Sequence, residues 1–248
     1  MTGRTEIIMG MPITIDLACR DDADLQRAAF DRFRQIDHRF SPYRDDSELA
    51  ALNAGAIREE DLSEEFHEIL ELAEDAREFS DGYFDIRRPD GLLDPSGVVK
   101  GWAIKQVAQL LARAGSENFC IDAGGDIQVA GCNARGEPWR VGIRNPFAED
   151  EIVKAIRPGA HGVATSGSYV RGHHIYDPHQ PDNRLDEIVS LTVVAEDVLA
   201  ADLLATAAFA MGRAGLRFLQ TLTDVEAYAI DRDGMATFTP GFAAYVVT

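Results

Sequence analysis

An acidic and a hydroxyl side chain stand four residues apart in an otherwise apolar stretch, residues 198–211. They are Asp202 and Thr206, and on a helix that spacing puts both on one face. A carboxylate with a hydroxyl suits a hard cation such as Mg²⁺. The alternative, which the spacing alone favours, is that Thr206 hydrogen-bonds its own helix while Asp202 faces water. The apolar surroundings favour the metal, because a buried carboxylate needs a partner.

Two adjacent histidines, His173 and His174, precede Asp177-Pro178 in a glycine-flanked stretch that is typical of a loop. An imidazole there could transfer a proton near neutral pH. Adjacent histidines also occur in inert surface loops, and that alternative stays open. Zinc is a weaker hypothesis, since no third nitrogen or sulfur ligand follows at a useful spacing.

Three hydroxyl side chains surround Gly167: Thr165, Ser166 and Ser168. Hydroxyls and backbone N–H groups in this layout can hold phosphate oxygens, although a plain turn is an equal alternative. The stretch lacks the lysine of a Walker loop, and Gly124-Gly125 lacks the spacing of a dinucleotide fingerprint. Neither a P-loop nor a Rossmann site is therefore indicated.

The charge of the chain limits its partners. Its 248 residues include 24 Lys+Arg and 42 Asp+Glu, which gives a formal charge of −18. Such a field repels nucleic acid and anionic membranes, so we expect neither as a partner. An anionic ligand would need local positive groups, a helix N-terminus or a metal cation.

The cysteines and the first residues suggest a compartment. Cys19, Cys120 and Cys132 form no short-spaced pair, which argues against a disulfide framework and a zinc site. Residues 1–20 alternate polar and apolar types without a basic start followed by an apolar run. We therefore expect reduced thiols and a cytoplasmic protein.

The elements that must position these residues follow an α+β order, with mixed sheets, packed helices and a cleft in one unit, residues 1–248. Strands are predicted at 6–18, interrupted by a kink or bulge at 9–12, and at 119–123, 127–130, 139–144, 151–156, 188–195, 225–230 and 242–247. Gly124-Gly125 predicts a hairpin. Helices are predicted from about 25 to 40, 63 to 79, 95 to 114 and 198 to 211.

Nine motifs in this order resemble the FAD:protein FMN transferase family, also called the ApbE family, over nearly the whole chain. They are Met9-Gly10-Met11-Pro12, residues 40–44 with 46–49 and Asn53, Gly82-Tyr83-Phe84-Asp85, residues 94–101, residues 124–127, residues 139–143, residues 164–169, residues 174–178, and residues 201–206.

The resemblance implies a two-lobed fold with FAD in a central cleft and Mg²⁺ at its pyrophosphate. Asp202, the Thr206 hydroxyl and the Gly97 carbonyl would hold the metal, and His174 would be the catalytic base. The residues implied for FAD binding are Met9, Tyr43, Tyr83, Phe84, Asp85, Asp94 and Lys100, together with Thr165 and Ser166. The chain departs from the family in a shortened segment between Asp85 and Asp94, and in Ala205, a position that is acidic in some members.

The implied reaction is attack by a Thr or Ser hydroxyl of an acceptor protein on the FMN phosphorus of FAD, with release of AMP. Two alternatives remain open. One is a Mg²⁺-dependent FAD pyrophosphatase, in which water replaces the acceptor hydroxyl. The other is a carrier that binds FAD without turnover.

Overall fold

One long antiparallel sheet organises the chain. The structure, a computed structural model, describes residues 3–18, 22–167, 175–181 and 185–247. Within them, eight strands pair in the order β1-β2-β3-β4-β7-β8-β9-β10, and β5 and β6 form a separate hairpin. The strands are β1 (Arg4–Ile8), β2 (Met11–Leu17), β3 (Phe119–Ala123), β4 (Asp126–Ala130), β5 (Val141–Asn145), β6 (Ala148–Ile156), β7 (Gly162–Gly167), β8 (Ile188–Ala195), β9 (Glu226–Asp231) and β10 (Ala236–Phe238).

The helices cover the sheet and confirm the four predicted from the sequence. They are α1 (Ala23–Phe40), α2 (Glu48–Asn53), α3 (Glu64–Phe79), α4 (Ser96–Arg113), α5 (Val198–Ala210) and α6 (Arg213–Leu219), with 3₁₀ turns at Glu59–Asp61 and Pro240–Tyr245. Side-chain caps begin several of them, as when Ser63 accepts the N–H of Phe66 at the start of α3. No helix among the described residues is long and apolar enough to cross a membrane.

The first strand pair corrects the prediction of one kinked strand. β1 and β2 form a hairpin in which Ile8 pairs with Met11, so Met9 and Gly10 are the turn. Both turn residues have positive φ, 54° for Met9 and 70° for Gly10. That backbone twist matches two-residue hairpins. The prediction was wrong because Met9 offers no turn signal of its own.

Two further segments differ from the predictions. Residues 242–247, predicted as a strand, lie mainly in the 3₁₀ turn at Pro240–Tyr245, where Phe242 is buried against Tyr228. Thr165 and Ser166, considered as part of a turn, lie inside β7 and pair with Thr192 and Leu191 of β8. The sequence did not predict β7 as a strand, because the segment contains glycine and hydroxyl residues in place of a regular apolar pattern.

Helix α5 is held against the sheet at a glycine. A Cβ on Gly162 of β7 would lie 2.0 Å from the backbone nitrogen of Val198 and 2.1 Å from the carbonyl carbon of Asp197. Glycine therefore allows the first turn of α5 to contact the strand backbone directly. On its other side α5 packs along α4, so this contact sets where the residues of α5 lie.

We predict that Gly162→Ala lowers the free energy of unfolding by about 3 kcal/mol, because the methyl group must displace backbone. Gly136→Ala is the control, since Gly136 has φ 73° but nothing within 4 Å of the place that an added methyl group would take. It should cost about 1 kcal/mol from backbone strain alone. Urea denaturation measures both, and equal losses would contradict the close contact at Gly162.

Candidate functional site

A cleft of about 850 Å³ opens where the helices meet the sheet. Its walls come from the β1–β2 turn, the loop after α3, the start of α4, the β3–β4 turn, the β5–β6 hairpin, β7 and α5. This volume lies in the upper part of the range for small-molecule sites, so a ligand as large as a dinucleotide suits it.

The cleft brings together most of the residues singled out from the sequence. Met9 packs against the core and is not among the lining residues, and Tyr43 is 93% exposed and is not among them either. His174 lies outside the described residues, so its role stays a prediction. The predicted residues that line the cleft are Tyr83, Phe84, Asp85, Asp94, Gly97, Lys100, Thr165, Ser166, Asp202 and Thr206.

Asp202 is a deeply buried ionisable group of the cleft, with 2% of its surface exposed. The alternative in which it faces water is therefore wrong. Its Oδ2 accepts the N–H of Gly101 at 3.1 Å, and its Oδ1 lies 3.3 Å from the Lys100 ammonium nitrogen. A Cβ on Gly101 would lie 3.0 Å from the Asp202 Cβ and from the Leu199 Cα. The glycine thus lets α4 approach the carboxylate.

Burial raises the pKa of Asp202 to about 7, with the nearby Lys100 ammonium opposing the shift and Asp126 adding to it. Removal from water disfavours the carboxylate, and a second negative charge disfavours it further. A divalent cation at Asp202 would favour the charged form. Binding a cation and taking up a proton would therefore compete at Asp202.

The neighbours of Asp202 supply oxygen ligands of the right type. Thr206 lines the cleft one turn further along α5, which confirms the shared face. A Cβ on Gly97 would lie 4.0 Å from the Thr206 Cγ2, so the first turn of α4 faces this side chain. A carboxylate, a hydroxyl and a backbone carbonyl form an all-oxygen set, which fits Mg²⁺ with its remaining positions taken by water or phosphate.

Asp126 is another acidic side chain close enough to Asp202 to raise its pKa. Among the described residues, no group of three or more His, Cys, Asp or Glu side chains could hold a metal. Ala205, where some family members are acidic, is fully buried in the core between α5 and β8. One carboxylate and neutral oxygens would thus hold the cation.

Asp126, the first residue of β4, was not predicted from the sequence to be a site residue. Its Oδ1 accepts the N–H of Thr165 at 3.0 Å, and its Oδ2 forms an ion pair with Lys100. Only 1% of its surface is exposed. Asp126 belongs to the motif at residues 124–127. The sequence signal that could have identified it is an acidic residue at the first position of a strand with apolar neighbours. Its partner could not be read from the sequence.

Strand β3 carries a second acidic group of the cleft. Asp122 accepts the N–H of Gly125 at 2.9 Å, and burial raises its pKa while this hydrogen bond and the Arg144 charge oppose the shift. Cys120 on the same strand also lines the cleft, and burial raises the pKa of its thiol to about 12. The thiol is therefore neutral and no nucleophile at physiological pH.

The cleft differs in charge from the rest of the protein. Among the described residues, its lining contains four basic side chains, Arg88, Lys100, Arg140 and Arg144, and four acidic ones, Asp85, Asp94, Asp122 and Asp202. Their formal charges cancel, although the whole chain carries −18. The first turn of α4 also faces the cleft and favours an anion there. The electrostatic repulsion of an anionic ligand is therefore far weaker in the cleft than the charge of the whole chain suggests.

The sequence that forms this cleft matches a known protein family. The sequence model of the ApbE family matches residues 9–89 and 87–229, most of the chain. The chain belongs to the ApbE family. The resemblance inferred from the nine motifs is thereby confirmed.

Curated relatives in this family are named FAD:protein FMN transferase. The Vibrio cholerae protein is 37% identical over 133 residues, which are 50% of this chain and 40% of the relative. The Salmonella typhimurium protein is 34% identical over 159 residues, 60% and 43% of the two chains. The Escherichia coli K12 protein is 30% identical over 172 residues, 64% and 49%. The matches thus span less than half the length of these relatives.

Solved structures agree with the fold. Flavin transferase ApbE from Vibrio cholerae superposes with a TM-score of 0.84 at 24% identity, covering 98% of both chains. The ApbE protein from Thermotoga maritima gives 0.85 at 20% identity, covering 99% of both. These similarities confirm the predicted α+β fold.

The ion pairs around Asp202 predict how stability depends on pH. Its folded-state pKa of about 7 exceeds the value of about 4 in an unfolded chain, so the contribution of Asp202 to the free energy of unfolding falls as pH rises from about 4 to 7. Lys100→Met removes the cation that pairs with both buried carboxylates and raises the pKa of Asp202 further. We predict a loss of about 3–5 kcal/mol at pH 8 that shrinks at pH 5, where protonation removes the charge.

Lys105→Met is the matched control. Lys105 also lies on α4 and pairs with Asp197 at the start of α5, 2.6 Å away, but in a more exposed position. Its loss should stay below about 1 kcal/mol at both pH values. Urea denaturation in EDTA measures all three proteins. A Lys100→Met loss that does not change with pH would contradict the buried charge cluster.

Proposed function

We propose that this chain is a Mg²⁺-dependent FAD:protein FMN transferase. It would move FMN from FAD to a Thr or Ser hydroxyl of an acceptor protein and release AMP. The observation that carries the proposal is the cleft of an ApbE-family chain, where buried Asp202 and Thr206 face the first turn of α4. The names of the curated relatives support the substrate pair.

The reaction exchanges one phosphate bond for another. The acceptor oxygen forms a bond to the FMN phosphorus, the bond from that phosphorus to the bridging oxygen breaks, and AMP leaves with the bridging oxygen. The hydroxyl proton passes to a base. Such transfers depend mainly on positioning and on neutralising charge. When bound, Mg²⁺ supplies positive charge at the pyrophosphate.

The protein residues supply the rest. Asp202, the Thr206 hydroxyl and the Gly97 carbonyl would hold the cation, and the Lys100 ammonium would face the phosphates from the same wall. The N-terminal turn of α4 adds backbone N–H groups and a favourable dipole for the anion. Tyr83 and Phe84 provide aromatic surface at the neighbouring wall of the cleft for the flavin or adenine ring.

His174 is the proposed base. It lies outside the described residues, but Ile175 and Tyr176, the residues directly after it, line the cleft. That position supports a role for this segment beside the phosphates. Burial and nearby acidic residues raise the pKa of Tyr176, with Asp85 the largest of the charges, so Tyr176 stays neutral and suits hydrogen bonding rather than proton removal.

We predict that Asp202→Asn abolishes FMN transfer while the protein stays folded, since it removes the metal-binding charge at nearly constant volume. The assay combines FAD, Mg²⁺ and an acceptor domain that is flavinylated on threonine, with mass spectrometry for added FMN and chromatography for AMP. Asp197→Asn is the control, because asparagine also caps a helix well and α5 should be undisturbed.

The same assay distinguishes the alternatives. AMP and free FMN without a labelled acceptor would indicate a pyrophosphatase, and tight FAD binding without AMP would indicate a carrier. Full transfer in excess EDTA would refute the metal assignment.

We predict that His174→Ala slows transfer by about 10²–10⁴-fold with little change in FAD affinity, because a general base acts on the attacking hydroxyl. His173→Ala is the adjacent control and should behave like wild type. The measurements are single-turnover transfer rates and FAD titration. Inactive His173→Ala with active His174→Ala would show that the motif assignment is wrong by one residue.

A further inference from the structure

Asp126 lies beside the cleft and connects three elements of the fold. It opens β4, its Oδ1 accepts the N–H of Thr165 on β7, and its Oδ2 pairs with Lys100 on α4. That Oδ2 is buried and accepts no hydrogen bond from the described residues, so the ammonium is its electrostatic partner. Asp126 itself is not among the cleft-lining residues.

The Lys100 ammonium lies between two carboxylates, and it is closer to one of them. It makes a tight ion pair with Asp126, whereas Asp202 Oδ1 is 3.3 Å away. The other oxygen of Asp202 is already bonded to the N–H of Gly101. Oδ1 is therefore the oxygen that can turn to a divalent cation, and the ammonium competes with that cation for it.

We propose that Asp126 is a positioning residue of the cation site: it holds the Lys100 ammonium on the Thr165 side and so leaves Asp202 Oδ1 available to a divalent cation. The inference rests on the proposed metal site at Asp202. Without the charge of Asp126, the ammonium would pair more closely with Asp202 and occupy the place of the cation. Asp126 thus acts on the cation through Lys100, without touching it.

A purely structural role makes a different prediction. If Asp126 only anchors β7 and neutralises Lys100, its loss changes stability but not the competition at Asp202. Asp126→Asn separates the two roles. The amide oxygen still accepts the Thr165 N–H at nearly the same volume, whereas the charge that holds the ammonium is gone.

The experiment measures cation binding to the full chain without FAD. Mn²⁺, a hard cation suited to oxygen ligands, is titrated and the free ion is followed by electron paramagnetic resonance. We expect Asp126→Asn to weaken binding by about 10–100-fold, as for residues that orient metal ligands. Lys100→Met should strengthen binding. In the Lys100→Met background, Asp126→Asn should have little further effect, because the competing ammonium is absent.

Asp122→Asn controls for charge alone. It removes one buried carboxylate from the same cleft, but Asp122 accepts the N–H of Gly125, and this hydrogen bond, with Arg144, opposes the rise of its pKa. Its effect on Mn²⁺ affinity should be small. Asp126→Glu, which keeps the charge, should bind closer to wild type than Asp126→Asn, and it tests the inference if the asparagine variant fails to fold.

The outcomes separate this inference from the proposed function. Unchanged affinity in Asp126→Asn, an equal loss in Asp122→Asn, or a loss that persists in the Lys100→Met background would each overturn the positioning role while leaving the metal site intact. Absence of Mn²⁺ binding by wild-type protein would overturn both.

Discussion

The burial of one lysine between two aspartates is the constraint on which the site depends. Lys100, Asp126 and Asp202 come from α4, β4 and α5, and both carboxylates are almost fully buried. Two negative charges and one positive charge leave a net deficit of positive charge in a medium that opposes it. A proton on Asp202, whose pKa burial raises to about 7, or a bound cation would neutralise such a cluster.

Close backbone contacts hold the three charges at their separations. Gly101 lets α4 reach the Asp202 carboxylate, and Gly162 lets α5 rest on β7, which also donates an N–H to Asp126. Any side chain at these glycines would move one charge relative to the others. The packing of α5 is therefore part of the chemistry, because a buried ion pair loses much of its value when its geometry is poor.

Sequence patterns predicted the elements with a regular apolar period and missed those without one. The apolar stripe of α1 and the apolar run of α5 predicted both helices. The turn at Met9 and the hydroxyl-rich strand β7 have no such apolar period. The same limit applies to the site. Spacing put Asp202 beside Thr206 on one helix face, but the pairing of Lys100 with Asp126 depends on how a helix crosses a strand. That crossing is a property of tertiary packing.

The whole chain carries a formal charge of −18, whereas the described residues that line the cleft carry equal numbers of positive and negative charges. Overall composition is therefore a weak guide to ligand charge. At physiological ionic strength, exposed charges more than about 8 Å apart are largely screened. Partly buried charges inside a cleft are screened much less, so the local balance decides which ligand binds. Under the proposed function, a divalent cation would make that balance positive where the pyrophosphate lies. The phosphates would in turn complete the ligand set that a single carboxylate leaves open. Cation and FAD would then each raise the affinity of the other, as linked binding requires.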